Sequence, residues 1–516
     1  MNIRKYIRKS RIIVIALLII SAFTGCSSKS ASDDELVFGT TISLQSLDPA
    51  RDYCGWYTVR YGVSETLFKL DESMDIVPNL ASSYENIDDY TWKITIRDDV
   101  TFQNGEKMTL EKVKSSLERT LSNNSRASET LKIKSIYIEN SSLIIVTKEP
   151  HPTLINDLCD PFASIIDVEG TEDFDNAPVG TGPFISQEFN PIKSSYFIKY
   201  KDYWQGEPNL EKIKVIKVSD SDTLTMALQT GEIDVAQGVS YSSLKLFEND
   251  DEYKIQGIDT SRAVLLYYNY KNEYLNDYNL RKAINLVINK EEYCEYLLDG
   301  AATAAEGAFP KSMSYSLNED YDRHIDVVEA ESILDESGYV DTDNDGIREK
   351  DGKKLKLNLI TYSSRAELPV FAQAIQADLK DIGIDVSVEI SDSIMDKLTS
   401  SNFDIALYSN VTAATGDGGA YLNNLLKTNG DSNYGYYSNP EVDELLVRLN
   451  EEFDTENRED IAILIQKKAI EDNGFNFIAH SKINFVMKSS VVDFEVNPTD
   501  YYEFNYKTDI KEDNLS

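Results

Sequence analysis

The chain has 516 residues, 41% of them hydrophobic and 27% charged, a globular composition spread over more length than one ordinary core uses, so two or more domains are expected. Lys and Arg number 51 against 88 Asp and Glu, a formal charge of −37. So acidic a surface repels nucleic acid and anionic lipid headgroups, and neither is expected as a partner.

At the start of the chain Arg4, Lys5, Arg8, Lys9 and Arg11 form a basic head, followed by the unbroken apolar run Ile12 to Ile20. That run is far shorter than the roughly 20 residues that span a bilayer as a helix, so the pattern predicts a secretion signal over 1–25. It closes on Phe23-Thr24-Gly25-Cys26, which resembles the bacterial lipobox with Phe in place of the usual Leu. The resemblance implies lipidation of Cys26, a membrane surface anchor and an extracytoplasmic location, at the cell surface or in the periplasm. Residues 26–34, small and polar, read as a tether.

Folding starts at a strand from Glu35 to Gly39, with a second over 90–100, where Trp92, Ile94 and Ile96 alternate. Thr109 can cap a helix whose apolar positions are Leu110, Val113, Leu117 and Leu121. Residues 142–147 predict a strand, 222–230 a short helix stopped by Gly231, and 233–236 another strand. Helices follow over 279–288 and 291–298, the second ended by Gly300. A long amphipathic helix is predicted over 368–382. Gly383 stops it, and a strand over 384–390 follows. Residues 403–408 read as a buried strand, and Asn439-Pro440-Glu441 as a strong helix start. The alternation predicts α/β lobes with mainly parallel pairing.

Four cysteines without a CxxC, and His151, His324 and His480 far apart, argue against a disulfide framework and a thiolate metal site. No HExxH or GxSxG occurs, so neither a zinc hydrolase nor a serine hydrolase is indicated and no cofactor is expected. A histidine closing over a metal is conceivable at His151 or His480, although a structural role is the simpler reading. Asp341-Thr-Asp343-Asn-Asp345-Gly346 has the alternating carboxylates and central Gly of a calcium loop, but its twelfth position is Gly352 rather than Glu, which favours a polar turn.

Several segments, weak singly, fall in one order: Leu47-Asp48-Pro49, Glu65-Thr66-Leu67, Pro78-Asn79-Leu80-Ala81, Trp92 to Gly105, Gly180-Thr181-Gly182-Pro183-Phe184, Asp202-Tyr203-Trp204-Gln205-Gly206, Gly231-Glu232-Ile233-Asp234, Arg281-Lys282-Ala283-Ile284 and Asn439-Pro440-Glu441-Val442-Asp443. In that order they resemble extracellular solute-binding protein family 5, the peptide/nickel class of receptors for ABC importers. The resemblance implies a two-lobed α/β fold of the periplasmic-binding-protein type (type II) with an extra subdomain, closing on ligand at a hinge. It suggests a first lobe from 35–75, 178–262 and 483–516, an extra subdomain over 76–177 and a second lobe over 263–482. It implies no covalent chemistry, and an ABC permease with its ATPase as partners. The other classes weighed are a signalling or adhesion protein that kept the fold and, with no supporting signature, a surface hydrolase.

The same resemblance directs attention to ligand contacts. Tyr53, Trp56 and Tyr57 follow the first strand and suit an apolar cleft with polar anchors, or a packed loop. Arg60, Arg126 and Arg365 sit in loops, where a guanidinium either pairs with the protein's own acids or clamps a ligand carboxylate. Arg126 lies near the position of an arginine in nickel-type members, whose second arginine is replaced by Phe162. Residues 408–421, including Tyr408, Asn410, Asp417 and Tyr421, resemble a loop that walls the cleft. Peptide-binding relatives place an Asp near Ala414 to meet the ligand ammonium. A missing carboxylate there weighs against ordinary peptides held through that contact and favours a metal chelate, an opine-like metallophore or another small carboxylated solute; the ligand classes expected are a nickel or other metal chelate, or a peptide. A metal ligand set is not identified.

Overall fold

The structure, a computed structural model, describes residues 35–42, 45–317, 325–499 and 501–511. Cys26, the signal segment, the tether and His324 lie outside the described residues. Among the described residues no helix is long and apolar enough to cross a membrane.

One large mixed sheet runs through the molecule. From one edge its strands are Asp385–Ile390, Lys356–Thr361, Ile405–Val411, Tyr253–Tyr268, Phe475–Lys488, Val235–Gln237, Glu35–Thr40, Lys212–Lys217, Ser194–Lys199 and Phe184–Glu188, with Ala302–Ala304 added on Phe475–Lys488. Two strands are far longer than the usual five or six residues: Tyr253–Tyr268 with 16 and Phe475–Lys488 with 14. They pair antiparallel with each other and carry the chain between two lobes. Strands of the first lobe lie on one side of this ribbon and strands of the second on the other. The ladder shifts register between Asp259 and Ala263 and again between Val264 and Leu265. Such bulges bend a strand locally, and here they fall where the ribbon passes between lobes.

Among the described residues, parallel pairing is confined to Glu35–Thr40 with its two neighbours and Lys356–Thr361 with its two neighbours. The expectation of mainly parallel pairing is therefore corrected to a mixed sheet. Helix–strand alternation sets up parallel neighbours within a lobe, while the ribbon and the edge hairpins pair antiparallel. A separate antiparallel sheet, ordered Ala81–Asp88, Thr91–Ile96, Ser142–Thr147, Ile133–Glu139, forms the extra subdomain with helices Leu110–Asn123 and Ser125–Leu131.

Local chemistry accounts for the elements that frame the cleft. Thr109 caps Leu110–Asn123 by accepting from Lys112 N, and Val113 and Leu117 are buried. Asn439 caps Pro440–Glu451, with Pro at the first turn. Gly383 (φ +81°) ends Glu367–Asp381. The expected helix over 291–298 is instead a single turn, Lys290–Glu292, running into a π-helical turn, Tyr293–Leu297, where the Tyr293 hydroxyl is drawn to Asp378.

His480 lies on the ribbon opposite Ala263 and Thr303 and is buried. Its ring nitrogens sit near the Gly307 and Phe309 backbone without a well-formed hydrogen bond. Burial, helped by the charge of Lys290, pushes its pKa down to about 3. The unfolded chain therefore binds the proton that the folded one refuses, and His480 stabilises the fold above pH 6.5 and lowers stability progressively as pH falls toward 3. We expect about 1.4 kcal/mol lost per pH unit in that window from this residue. Urea unfolding of His480→Asn at pH 7 and pH 4.5 should show a smaller pH dependence than the unsubstituted protein, and an equal dependence would contradict it.

Candidate functional site

The residues expected at the first wall of the cleft sit on a loop that the sequence tethers firmly. Asp48 accepts both Nη atoms of Arg119 at 2.7 Å, and its carboxylate also accepts from Ala50 N. This fork holds the loop to helix Leu110–Asn123 and starts the helix Gly55–Arg60 in place. Gly55 is required there, because a Cβ would meet the Pro161 carbonyl oxygen at 2.5 Å. Tyr53 is half exposed, and its ring meets Trp56 edge-on at 5.2 Å; Trp56 in turn lies 5.9 Å from Tyr501.

Arg126 belongs to this wall. Its guanidinium is held by three side chains: Nη1 and Nη2 reach Asp160 at 2.6 and 2.9 Å, and the rings of Tyr53 and Phe162 each lie 4.6 Å from its central carbon. The expected open fork is thus closed on an internal carboxylate. Asp160 can do this because it caps the turn Pro161–Ala163, with Phe162 N donating to Oδ1. Phe162 packs beneath the guanidinium. One donor of Arg126, Nε, is buried without an acceptor, and so is Trp56 Nε1.

Arg60 and Tyr57 lie deeper than expected of ligand contacts. Arg60 is 3% exposed, with Nε 3.4 Å from Glu503 Oε1, and Glu503 also accepts from Gln237 Nε2 at 2.9 Å. This buried pair joins the short helix to the C-terminal segment, which explains why Arg60 is inside an otherwise acidic protein. Tyr57 packs on Tyr61 in the first-lobe core.

The residues expected to wall the cleft from the other side lie on strand Ile405–Val411 and helix Gly419–Leu426. Tyr408 and Asn410, two apart on strand Ile405–Val411, share a face. Asn410 Nδ2 donates to the Tyr267 hydroxyl at 3.2 Å, and Tyr421, on helix Gly419–Leu426, is buried beside it. Tyr408 lies 5.3 Å from Tyr362. Tyr362 opens the loop carrying Arg365, whose charge acts on the hydroxyls of both Tyr362 and Tyr241; burial raises both phenol pKa values and Arg365 opposes the rise. Ala414 lies in a turn within this wall, partly buried.

Asp417 departs from its expected place at the ligand. It is 8% exposed, and Oδ2 accepts from Arg458 Nε and Nη2 at 3.0 and 2.7 Å and from the Tyr315 hydroxyl at 2.8 Å, while Oδ1 accepts from Gly419 N. The carboxylate holds the loop to helix Thr455–Glu471. Sequence reasoning missed Arg458, Asp160 and Glu503, since each partner is distant in sequence and carries no motif.

The walls also touch each other. Asn156 Nδ2 donates to the Thr415 carbonyl at 3.1 Å, and Thr415 Oγ1 lies 3.4 Å from Asp157 Oδ1. Asp157 binds His151 at 2.7 Å, and burial raises its pKa against the opposing pull of His151. The two candidate metal histidines are thus accounted for by an ion pair and by core burial. Gly416 (φ +82°) passes so close to the turn before strand Ile76–Pro78 that a Cβ would meet the Met74 carbonyl oxygen at 2.4 Å. In the acidic loop, single oxygens of Asp341, Asp343, Asp345 and Glu349 lie within 4.8 Å of one another, and the Lys354 ammonium reaches Asp343 at 3.1 Å and also Asp345.

Comparison with known proteins agrees with this fold. Residues 75–433 match the bacterial extracellular solute-binding proteins, family 5 Middle. The chain is 30% identical over 497 residues to the nickel-binding protein NikA of Staphylococcus aureus, covering 96% of this chain and 98% of that one. A crystal structure of a nickel ABC transporter protein from Bacillus halodurans superposes with a TM-score of 0.84 at 32% identity, covering 92% of this chain and all of the other. NikA of Staphylococcus aureus in complex with Ni(L-His)2 superposes with a TM-score of 0.72 at 30% identity, over 93% of this chain and all of that one.

Two outcomes follow. Asp417→Ala leaves the Arg458 charge buried and unpaired, and should cost about 3–5 kcal/mol of stability by denaturant unfolding. Gly416→Ala combines a left-handed backbone with a clash that exists only when the walls meet; it should weaken ligand binding at least tenfold and leave the liganded protein more open in small-angle scattering.

Proposed function

This chain belongs to the bacterial extracellular solute-binding proteins, family 5, and on that premise we propose that it captures a nickel chelate and delivers it to an ABC permease with its ATPase. The ligand class is taken from relatives at 30% and 32% identity that are named for nickel. The observation that carries it in this chain is the pair of buried donors without acceptors, Trp56 Nε1 and Arg126 Nε, in one aromatic cluster with Tyr53 and Tyr501. Buried donors are nearly always satisfied in native proteins, so two in one wall point to an acceptor supplied from outside. Aromatic faces with a few fixed donors suit a compact chelate bearing oxygen atoms.

Capture is a population shift. A ligand touching both walls favours the closed arrangement by its differential affinity for it, while the ribbon keeps the lobes in register. The lobes are assigned as 35–75, 178–262 and 483–516 for the first and 263–482 for the second, with 76–177 as the extra subdomain. Ligand contacts are assigned to Tyr53, Trp56 and Arg126 from one wall and to Tyr408, Asn410 and Tyr421 from the other. Lipidation of Cys26 would keep the receptor outside the cell at the membrane surface, beside its permease. The family's members are solute-binding proteins, and the role assigned here needs no covalent step.

Trp56→Phe keeps the ring and deletes the donor. It should lower affinity for Ni(II) with L-histidine about tenfold in calorimetric titration, with an unchanged melting temperature. Undiminished affinity would contradict the assignment of Trp56.

A further inference from the structure

The buried apolar side chains do not divide as the lobes do. Two clusters lie within the first lobe, one around Phe38 and Phe197 and one around Leu224 and Phe247, and another lies within the second, around Leu266 and Leu359. A further cluster crosses a boundary. Ile94, Leu117 and Leu154 of the extra subdomain are continuous in it with Phe309, Leu422 and Leu446 of the second lobe. By the assignment above, the chain enters and leaves the extra subdomain through the first lobe. Its apolar contact with the second lobe is therefore made across a seam and not along the chain.

Direct contacts cross the same seam. The rings of Trp92, on strand Thr91–Ile96, and Phe453, just before helix Thr455–Glu471, lie 6.2 Å apart and tilted by 33°. Trp92 is buried, backed by the Tyr84 ring at 6.0 Å, and its Nε1 donates to the His151 carbonyl at 3.2 Å. Asn156 Nδ2 donates to the Thr415 carbonyl at 3.1 Å, and Thr415 Oγ1 donates to Asp157 Oδ1 at 3.4 Å. The acids at the seam bring partners from their own side. Asp157 is held by His151 of the extra subdomain, and Asp417, two residues beyond Thr415, by Arg458 of the second lobe. Neither carboxylate is stranded when the two surfaces meet, so the large cost of an unpaired buried charge is avoided.

We infer that the extra subdomain is a clasp: it fastens on the second lobe through the chain's own side chains and holds the closed arrangement independently of ligand. An apolar seam with paired polar groups is what fastens two protein surfaces in general, and every group named in it belongs to the chain. The inference rests on hinge closure and not on the identity of the ligand. Its consequence for capture is quantitative. The apparent dissociation constant is the intrinsic one divided by the fraction of protein already competent to bind. Residues that never touch the ligand, Phe453 and Thr415 among them, then set part of the affinity by positioning the walls.

The test is small-angle scattering of the purified full chain, unsubstituted, Phe453→Asp and Phe453→Leu, without ligand and with saturating Ni(II) and L-histidine. Phe453→Asp puts a charge into the apolar seam and alters none of the groups assigned to the ligand. Without ligand it should have a larger radius of gyration than the unsubstituted protein, and saturating ligand should bring it back to the unsubstituted value. Calorimetric titration should show its apparent affinity lowered about threefold to tenfold. Phe453→Leu, which keeps the seam apolar, should recover most of both effects. Equal radii of Phe453→Asp and the unsubstituted protein without ligand overturn the clasp. Should Phe453→Asp fail to fold, the double variant Asn156→Ala with Thr415→Val decides by the same comparison. A protein that takes up no Ni(II) with L-histidine contradicts the nickel-chelate reading alone, since the ligand-free radii still decide the clasp.

Discussion

The two long strands that cross between lobes are the constraint on which everything else depends. Tyr253–Tyr268 and Phe475–Lys488 are hydrogen-bonded to each other along nearly their whole length, so the lobes cannot slide or separate without breaking a ladder. Rotation about the bulged stretch near Asp259 to Ala263 is the cheap motion that remains, because a bulge already interrupts the ladder there. Sheet strands on either side then carry each wall as a rigid unit. Placing binding groups on rigid walls joined by one soft line makes closure a single coordinate.

The electrostatics of the walls follow from the chain's acidity. With so many carboxylates, a buried arginine finds an internal partner readily, and Arg60, Arg126 and Arg458 have done so. These pairs hold loops in place: Arg458 with Asp417 anchors the second-wall loop, and Arg126 with Asp160 anchors the aromatic cluster. Breaking one leaves a charge stranded away from water, which is why they belong to the architecture. Trp56 Nε1 and Arg126 Nε stand beside these pairs as buried donors without acceptors among the described residues.

Much of the fold was legible in the sequence because its signals are local. Thr109, Asn439 and Gly383 mark helix ends through interactions within a turn of themselves, and the strand over 142–147 appears at those residues. The turn at Lys290–Glu292 was harder, because the π-helical distortion beyond it is stabilised by Asp378, 85 residues away from Tyr293. The parallel bias was wrong for a related reason: the pairing of Tyr253–Tyr268 with Phe475–Lys488 joins segments over 200 residues apart. At the site, aromatic and arginine candidates could be named from their loop positions. Their roles could not, since whether an arginine is free or paired depends on acids such as Asp160 and Glu503, brought in from elsewhere.

The central claim is that this protein captures a nickel chelate. It is tested most directly by native mass spectrometry of the protein purified from cells grown in rich medium. The account predicts one discrete added mass carrying the isotope pattern of nickel, removed together with its organic part on unfolding. A ladder of added masses in amino-acid steps would contradict it by showing a peptide receptor, and bare protein across preparations would contradict the claim that the cleft captures such a chelate from the medium.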